Sequence, residues 1–305
     1  MKNSIILIIS FLLFGAVASA QSQKVIEKEF EKFSTVKVQD NFVVKLVRSE
    51  RYAVSITVDE RIAAHVQAYE KSGVLNLVLD EKGYTKELKK ALKQKGAAEP
   101  VLEVMVYMPE IKSLVLSDKV VVTHSDELRS ENFALTVEDY AKVKQLKVSC
   151  ATADLDISRN ADVIADLNVA SKLYLLAANS AKANINQNGG NAFLELEGSS
   201  SVDIKSAVQT FEVLASSGAS SHISGTASVL TVNASGYSKT DAELLEVTEG
   251  QITQTGSSKC HVNVTERMKV NLTGGSMLTF KRMPIVEVDR IINSTLIKAG
   301  DPKRK

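Results

Sequence analysis

The sequence predicts an all-β fold. It is a right-handed parallel β-helix-like solenoid of about 19–20 residues per coil, with an N-terminal β-rich capping region containing one or two short helices. Three observations carry this. First, an apolar residue recurs at Leu135, Leu155, Leu175, Leu194, Val213, Val232, Ile252 and Val270, in steps of 20, 20, 19, 19, 19, 20 and 18. Second, proline occurs only at 100, 109, 284 and 302, so Glu110 to Met283 is free of it, as strands paired on both edges require. Third, the same stretch alternates with period two, as in Val202-Asp203-Ile204 and His261-Val262-Asn263-Val264.

Phase within the repeat sharpens the prediction. Six residues after each recurring apolar residue stand Ala141, Ala161, Ala181, Ser200, Ala219, Ser238, Ser258 and Ser276, always small. Four residues after it stand Asp139, Arg159, Asn179, Gly198, Ser217, Gly236, Gly256 and Gly274, turn formers apart from Arg159. Ten residues after it stand Gln145, Ala165, Ile185, Ile204, Ile223, Ala242, Val262 and Phe280, apolar but for the first. Phases 0, 6, 8 and 10 point inward and odd phases outward. Each coil then holds two or three short strands joined by tight corners. Eight or nine coils stacked at about 4.8 Å make a rod of roughly 40 Å. A weaker unit starts near Val115. An antiparallel sandwich also gives regular short strands, but it predicts hairpin turns rather than one small residue at a fixed phase.

In chain order, residues 1–20 read as a secretory signal peptide. Lys2 is the basic start, Ile5 to Phe14 the apolar run, and Ala18-Ser19-Ala20 the cleavage site. Residues 21–110 form the capping region, 111–285 the solenoid repeats and 286–305 a C-terminal segment, with 21–285 one continuous domain. The cap holds strands at Thr35–Val38, Phe42–Val47, Val54–Val58, Val74–Leu79 and Val101–Tyr107. A short helix is expected from Glu60 to Glu70, N-capped by Asp59, with Ile62, Val66 and Tyr69 on its apolar stripe. A second is expected from Lys86 to Lys95, with Thr85 as N-cap and Leu88 and Leu92 on one face among five lysines. That face either meets an acidic or membrane surface, or packs two leucines on the body; two turns of apolar stripe favour the body. The tail after Ala299 is expected to fray.

Composition excludes several functions. The chain has 37 Lys+Arg against 36 Asp+Glu; loss of Lys2 with the signal leaves zero net charge, unlike a nucleic-acid binder. No other stretch is long and apolar enough to cross a membrane, so the mature chain carries no transmembrane segment. Sixteen aromatics (7 Tyr and 9 Phe) and no Trp do not suit a sugar-stacking cleft. Two cysteines exclude a four-thiolate zinc site. Cys150 and Cys260 lie on distant coils, too far apart to bridge.

One outward phase reads Lys144, Ile164, Asn184, Asp203, His222, Asp241, His261 and Thr279. Its middle alternates Asp203, His222, Asp241, His261, one rung per coil. Imidazole beside carboxylate suits a divalent metal or a proton relay. It equally suits a column that avoids stacking like charges. A flat wall offers no pocket, so the column reading is taken and no catalytic, cofactor-binding or metal residue is assigned. A second outward column, Lys142, Asp162, Lys182, Ser201, Ser220, Lys239, Lys259 and Met277, reads as solvated. His65 and His124 have no evident partner. The serines at 199–201 and 216–217 are corner residues. No G-x-S-x-G, G-x-G-x-x-G, P-loop or H-E-x-x-H occurs.

The chain resembles the auto-transporter adhesins with a head-GIN domain, exported proteins of Gram-negative bacteria. The likeness spans about residues 24–285. It rests on Phe33-Ser34-Thr35-Val36-Lys37-Val38, Asn41-Phe42-Val43-Val44-Lys45-Leu46, Val54-Ser55-Ile56-Thr57-Val58-Asp59, Gly73-Val74-Leu75-Asn76-Leu77, the run Val104 to Leu114, and the Gly/Ser corners. It implies a β-helical solenoid with a preceding cap and brings no ligand residues. Asp139-Tyr140-Ala141 and Arg159-Asn160-Ala161 depart from the Gly-Ser corner, so less uniform corners are expected there.

The function expected is that of an exported, non-enzymatic adhesin or cell-envelope interaction protein, in the periplasm, on the outer surface or secreted. The alternatives are a polysaccharide lyase or glycosidase on the same rod, which needs clustered wall carboxylates, and a purely structural envelope component. No cofactor is expected. The partner is a cell-surface glycan or protein, not nucleic acid.

Overall fold

The computed structural model describes residues 22–300. Residues 1–21, on which the expected signal peptide falls, and residues 301–305 lie outside the described residues. In the N-terminal part, β1 is Gln23–Glu29, β2 Thr35–Val38, β3 Val43–Arg48, β4 Ala53–Asp59, β5 Val66–Lys71, β6 Val74–Leu79 and β7 Leu102–Met108. The helix α1, Lys86–Leu92, precedes β7. Then follow β8 Ser113–Leu116, β9 Val121–Ser125, β10 Glu127–Arg129 and β11 Asn132–Val137. The repeats give β12 Lys142–Ile157, β13 Asp162–Ala177, β14 Lys182–Asn188, β15 Asn191–Leu196, β16 Ser201–Ala215, β17 Ser220–Ala234, β18 Lys239–Gln254, β19 Lys259–Thr273 and β20 Met277–Phe280. The chain closes with β21 Ile285–Ile292 and β22 Thr295–Lys298.

These strands wind into a parallel β-solenoid of about 10 turns, nearly all β. The recurring apolar residues are register partners from Leu135 through Leu155, Leu175, Leu194, Val213, Val232 and Ile252 to Val270. All are buried. Burying each such side chain is worth about 1.5–3 kcal/mol against leaving it in water. The column reaches back beyond the predicted repeat: Leu114 pairs with Leu135, Val36 with Leu114 and Leu75 with Val36. The early unit is therefore in phase at Leu114, one residue before Val115.

The corners are uniform, against expectation. Asp139, Arg159, Asn179 and Ser217 have φ between +60° and +64°, beside Gly198, Gly236, Gly256 and Gly274 at +67° to +79°. Each corner bonds the next: the Asn160 N–H donates to Asp139 O and the Ser180 N–H to Arg159 O, both at 2.8 Å. Backbone stacking imposes the left-handed residue whichever side chain stands there. The small residue two positions later is buried in every coil. Most repeat coils form one long strand rather than two or three short ones; the coil of β14 and β15 is broken a second time, at Gly189-Gly190, where φ is +78° and +67°. β12, β13, β16, β17, β18 and β19 each run 15–16 residues round the other bend without a break.

The cap departs most from the sequence reading. All five predicted strands form, within a residue or two. The helix predicted from Glu60 to Glu70 does not. Asp59 is buried and its carboxylate accepts from the Arg61 backbone N–H (2.9 Å) and guanidinium (2.5–3.1 Å). The backbone bond from Arg61 is of the N-cap kind, but only turn follows it. After a single 3-10 turn, Ala63–His65, the chain becomes β5, antiparallel to β6 across a Ser72-Gly73 turn with φ of +54° and +80°. The second helix forms as α1, three residues shorter than predicted. Thr85 Oγ1 accepts from the Leu88 N–H (3.1 Å), and Leu88 and Leu92 pack on the core.

The cap is woven into the rod. β2 and β3 lie directly against β8 and β9, while the later β6 and β7 lie outside them. β4 then covers β7 and β1 covers β4, both antiparallel. This end thus finishes in antiparallel pairs, with β1 and β5 as its outermost strands.

Candidate functional site

The outward column survives in three dimensions. Ile164, Asn184, Asp203, His222, Asp241, His261 and Thr279 are successive register partners. Lys144, predicted as its first member, is not among them. A register shift between Val143 and Leu146 moves Lys144 and Gln145 out of the ladder, and Leu146 takes the inward place expected for Gln145. Nδ1 of His222 lies 3.4 Å from Asp241 Oδ2.

The structure adds Glu243 to this column. Ala242 pairs with Val262 but the next ladder pair is Glu246 with Asn263, so Glu243-Leu244-Leu245 bulge from β18. Leu245 returns to the core and Leu244 is left exposed. Ligand atoms of Asp241, Glu243 and His261 come within 4.8 Å of one another. Two carboxylates and an imidazole are a donor set for zinc or copper. Both carboxylates are already partnered, however. Asp241 Oδ1 accepts from the Glu243 N–H (3.1 Å) and Oδ2 faces His222; Glu243 lies 2.9 Å from Lys281 Nζ. The arrangement is an alternating-charge column on an open wall.

The solvated column is likewise in register from Lys142 and Asp162 through Lys182, Ser201, Ser220, Lys239 and Lys259 to Met277. The two predicted lone histidines have neighbours. The His65 ring meets Tyr84 edge-on at 4.8 Å, and His124 lies 3.0 Å from Gln145 and 3.4 Å from Asp126.

The second wall carries a feature the sequence reading missed. Tyr174 and Phe193, register partners, stack at 5.0 Å, and Lys172 Nζ lies 5.4 Å from the Phe193 ring centre. The Tyr174 hydroxyl donates to Glu195, which with partial burial holds the phenol up to about 12. The signal was present: both residues stand one position before their column leucines, Leu175 and Leu194.

Cys150 and Cys260 are free and buried. Burial pushes the Cys150 thiol up to about 11, and raises that of Cys260 with help from Asp241. A hollow of about 280 Å³ sits between α1 and the body, lined by Ile62, Leu79, Tyr84 and Leu92. The charged columns do not reach it.

The model of one protein family, described as "Putative auto-transporter adhesin, head GIN domain", matches residues 32–171 and again 156–284. Among solved structures, the chain resembles a putative adhesin from Parabacteroides merdae ATCC 43184 at 17% identity and a TM-score of 0.51, covering 91% of this chain and 96% of that one. It also resembles a putative lipid binding protein from Parabacteroides distasonis ATCC 8503, at 14% identity and a TM-score of 0.48, covering 91% and 97%. At these identities the first likeness speaks to the fold. No curated protein matches. No helix among the described residues is long and apolar enough to cross a membrane.

Proposed function

We propose a function from one premise: the chain belongs to the family of putative auto-transporter adhesins with a head GIN domain. On that premise it is an exported, non-enzymatic binding rod, whose flat walls engage a glycan or protein of a cell surface or envelope. The observation that carries the reading is the register of the outward columns. Asp203, His222, Asp241 and His261 repeat at one strand spacing on a single wall. A periodic wall meets an extended, repetitive ligand at many weak points, the use to which solenoid surfaces are suited. In this reading residues 21–110 close one end and 111–285 supply the wall. Lys2, Ile5–Phe14 and Ala18-Ser19-Ala20 direct export in this reading, and intact mass should find the mature chain beginning at Gln21.

Binding to immobilised surface glycans and envelope fractions tests the proposal. Retention by the wild type, weakened at least about tenfold in Kd when Asp203, His222, Asp241 and His261 are all replaced by alanine, supports the wall. Turnover of an acidic polysaccharide that an Asp203→Asn or Asp241→Asn change abolishes would replace it with an enzyme.

A further inference from the structure

The C-terminal end of the rod is where burial fails. β21 stacks on β19 and β22 on β20, and among the described residues no strand lies beyond either. Ile285 is 67% exposed there, Val288 53% and Ile292 51%, with Ile291 and Ile297 also exposed. Among the described residues the N-terminal end also finishes on strands with one unpaired edge, β1 and β5, but of their large apolar side chains only Val25 and Tyr69 are exposed. A bare strand edge flanked by apolar side chains is a template for another strand.

The order of side chains along β21 says which strand. Val270 pairs with Val288 and Asn271 with Arg290, so Asp289 is an extra residue. Ile285, Glu287, Arg290 and Ile292 therefore share the outward face, and Val286, Val288 and Ile291 the inward one. The outward set reads apolar, acidic, basic, apolar. Set two copies of β21 antiparallel, about a two-fold axis between Val288 and Asp289. Ile285 then faces Ile292 of the partner subunit, Val286 faces Ile291 of the partner subunit, and Glu287 faces Arg290 of the partner subunit. In a regular strand an axis between two residues would bring opposite faces together. The extra residue restores the match on both flanks; at the centre Val288 faces the bulged Asp289 of the partner subunit, a carboxylate that Lys269 of its own chain holds at 3.0 Å.

We propose that the β21 edge docks a second copy of this chain, end to end, by antiparallel strand addition. The contact is isologous: each copy supplies both halves of the Glu287–Arg290 pair. Opposite charges directly across strands attract and like charges repel, so the charge order selects this register. The strand edge supplies the main-chain hydrogen bonds of β-augmentation.

Sedimentation of the full chain across a concentration series tests this. The wild type should dimerise, and Arg290→Glu, which sets two glutamates against each other twice, should raise the dimer Kd by about tenfold or more. Glu287→Arg should do the same. Glu287 also lies 3.8 Å from Arg267, so circular dichroism must show each variant folded. Mixing the two variants in equal amounts should restore dimers, because each then presents the charge the other lacks. An Ile285→Cys/Ile292→Cys variant should oxidise to a covalent dimer. Within one chain those positions are roughly 23 Å apart and cannot bridge. The proposal is overturned by a chain that stays monomeric. It is equally overturned by dimers indifferent to Arg290→Glu, or by a monomer that binds lipid vesicles through this end instead.

Discussion

Arg159 lies directly over Asp139. Its guanidinium bonds the Asp139 carboxylate one coil earlier, and both residues hold φ of +64°. A bulky left-handed residue is thus tied to its equivalent on the next coil. Arg159→Ala keeps the backbone strain and loses the ion pair, whereas Arg159→Gly loses the pair and relieves the strain. The urea midpoint should fall for the alanine variant and stand higher for the glycine variant than for the alanine one. In 1 M salt the gap between wild type and Arg159→Ala should narrow, since the pair is solvent-facing.

Uniform corners at Asp139 and Arg159 also show what a sequence reveals and what it does not. The column from Leu135 to Val270 was legible because burial at a fixed phase restricts side-chain type. The corner at Arg159 was not, because its φ is imposed by hydrogen bonds to coils on either side. Likewise Ile62, Val66 and Tyr69 fit a helical spacing, yet Val66 and Ala68 pack with period two once β5 pairs with β6. The decisive contacts, Asp59 with Arg61 and β5 with β6, are not encoded in the spacing. The interleaving of β2–β3 inside β6–β7 is purely topological. Of the candidate wall, Asp203 to His261 was readable from phase alone, while Glu243 enters only through a bulge.

Gly225 has φ of +114°, and a Cβ there would sit 1.9 Å from the Ser206 carbonyl oxygen on the neighbouring coil. Both backbones are locked in the ladder and neither can yield. Gly225→Ala should cost about 3 kcal/mol or more by chemical denaturation. Gly73→Ala is the control: its φ is +80° but nothing lies within 4 Å, so only the strain of about 1 kcal/mol is expected.

Ser238 and Ser258 occupy the same buried phase on adjacent coils but differ in bonding. The Ser238 hydroxyl has no partner, whereas Ser258 Oγ accepts from Gln254 (3.3 Å) and donates to Ala234 O (3.4 Å). Ala219 already fills the equivalent place one coil earlier. Ser238→Ala should stabilise the protein by about 1 kcal/mol, and Ser258→Ala should destabilise it by about 1–2 kcal/mol through loss of the Gln254 and Ala234 bonds, although Gln254 Nε2 keeps the Met277 carbonyl. Thermal denaturation of the two variants side by side checks the sign.

Both thiols should be silent in the folded protein. Cys150 is held up to about 11 by burial, and Cys260, fully enclosed, is also raised. A thiol reacts as thiolate, so alkylation by iodoacetamide at pH 8 should be negligible in buffer and reach two groups per chain in 6 M guanidinium. Raising the pH towards 11 should release Cys150 first. Mass spectrometry of the chain recovered from an oxidising compartment should find no disulfide between them.

The Asp203–His222–Asp241–His261 column separates two chemistries by one measurement. As a charge column its value is the absence of repulsion between rungs about 4.8 Å apart. His222 and Asp241 are each nearly half exposed, so their contact is worth under about 0.5 kcal/mol. His222→Ala should therefore change stability little. His222→Asp, which stacks three carboxylates on successive rungs, should lower the melting temperature further, and 0.5 M salt should restore part of the loss. A metal site makes the opposite prediction for calorimetry with zinc. There, wild type would release a saturable heat that a His222→Ala/His261→Ala variant lacks. Because Lys281 holds Glu243 and the Glu243 N–H holds Asp241, the two titrations should coincide.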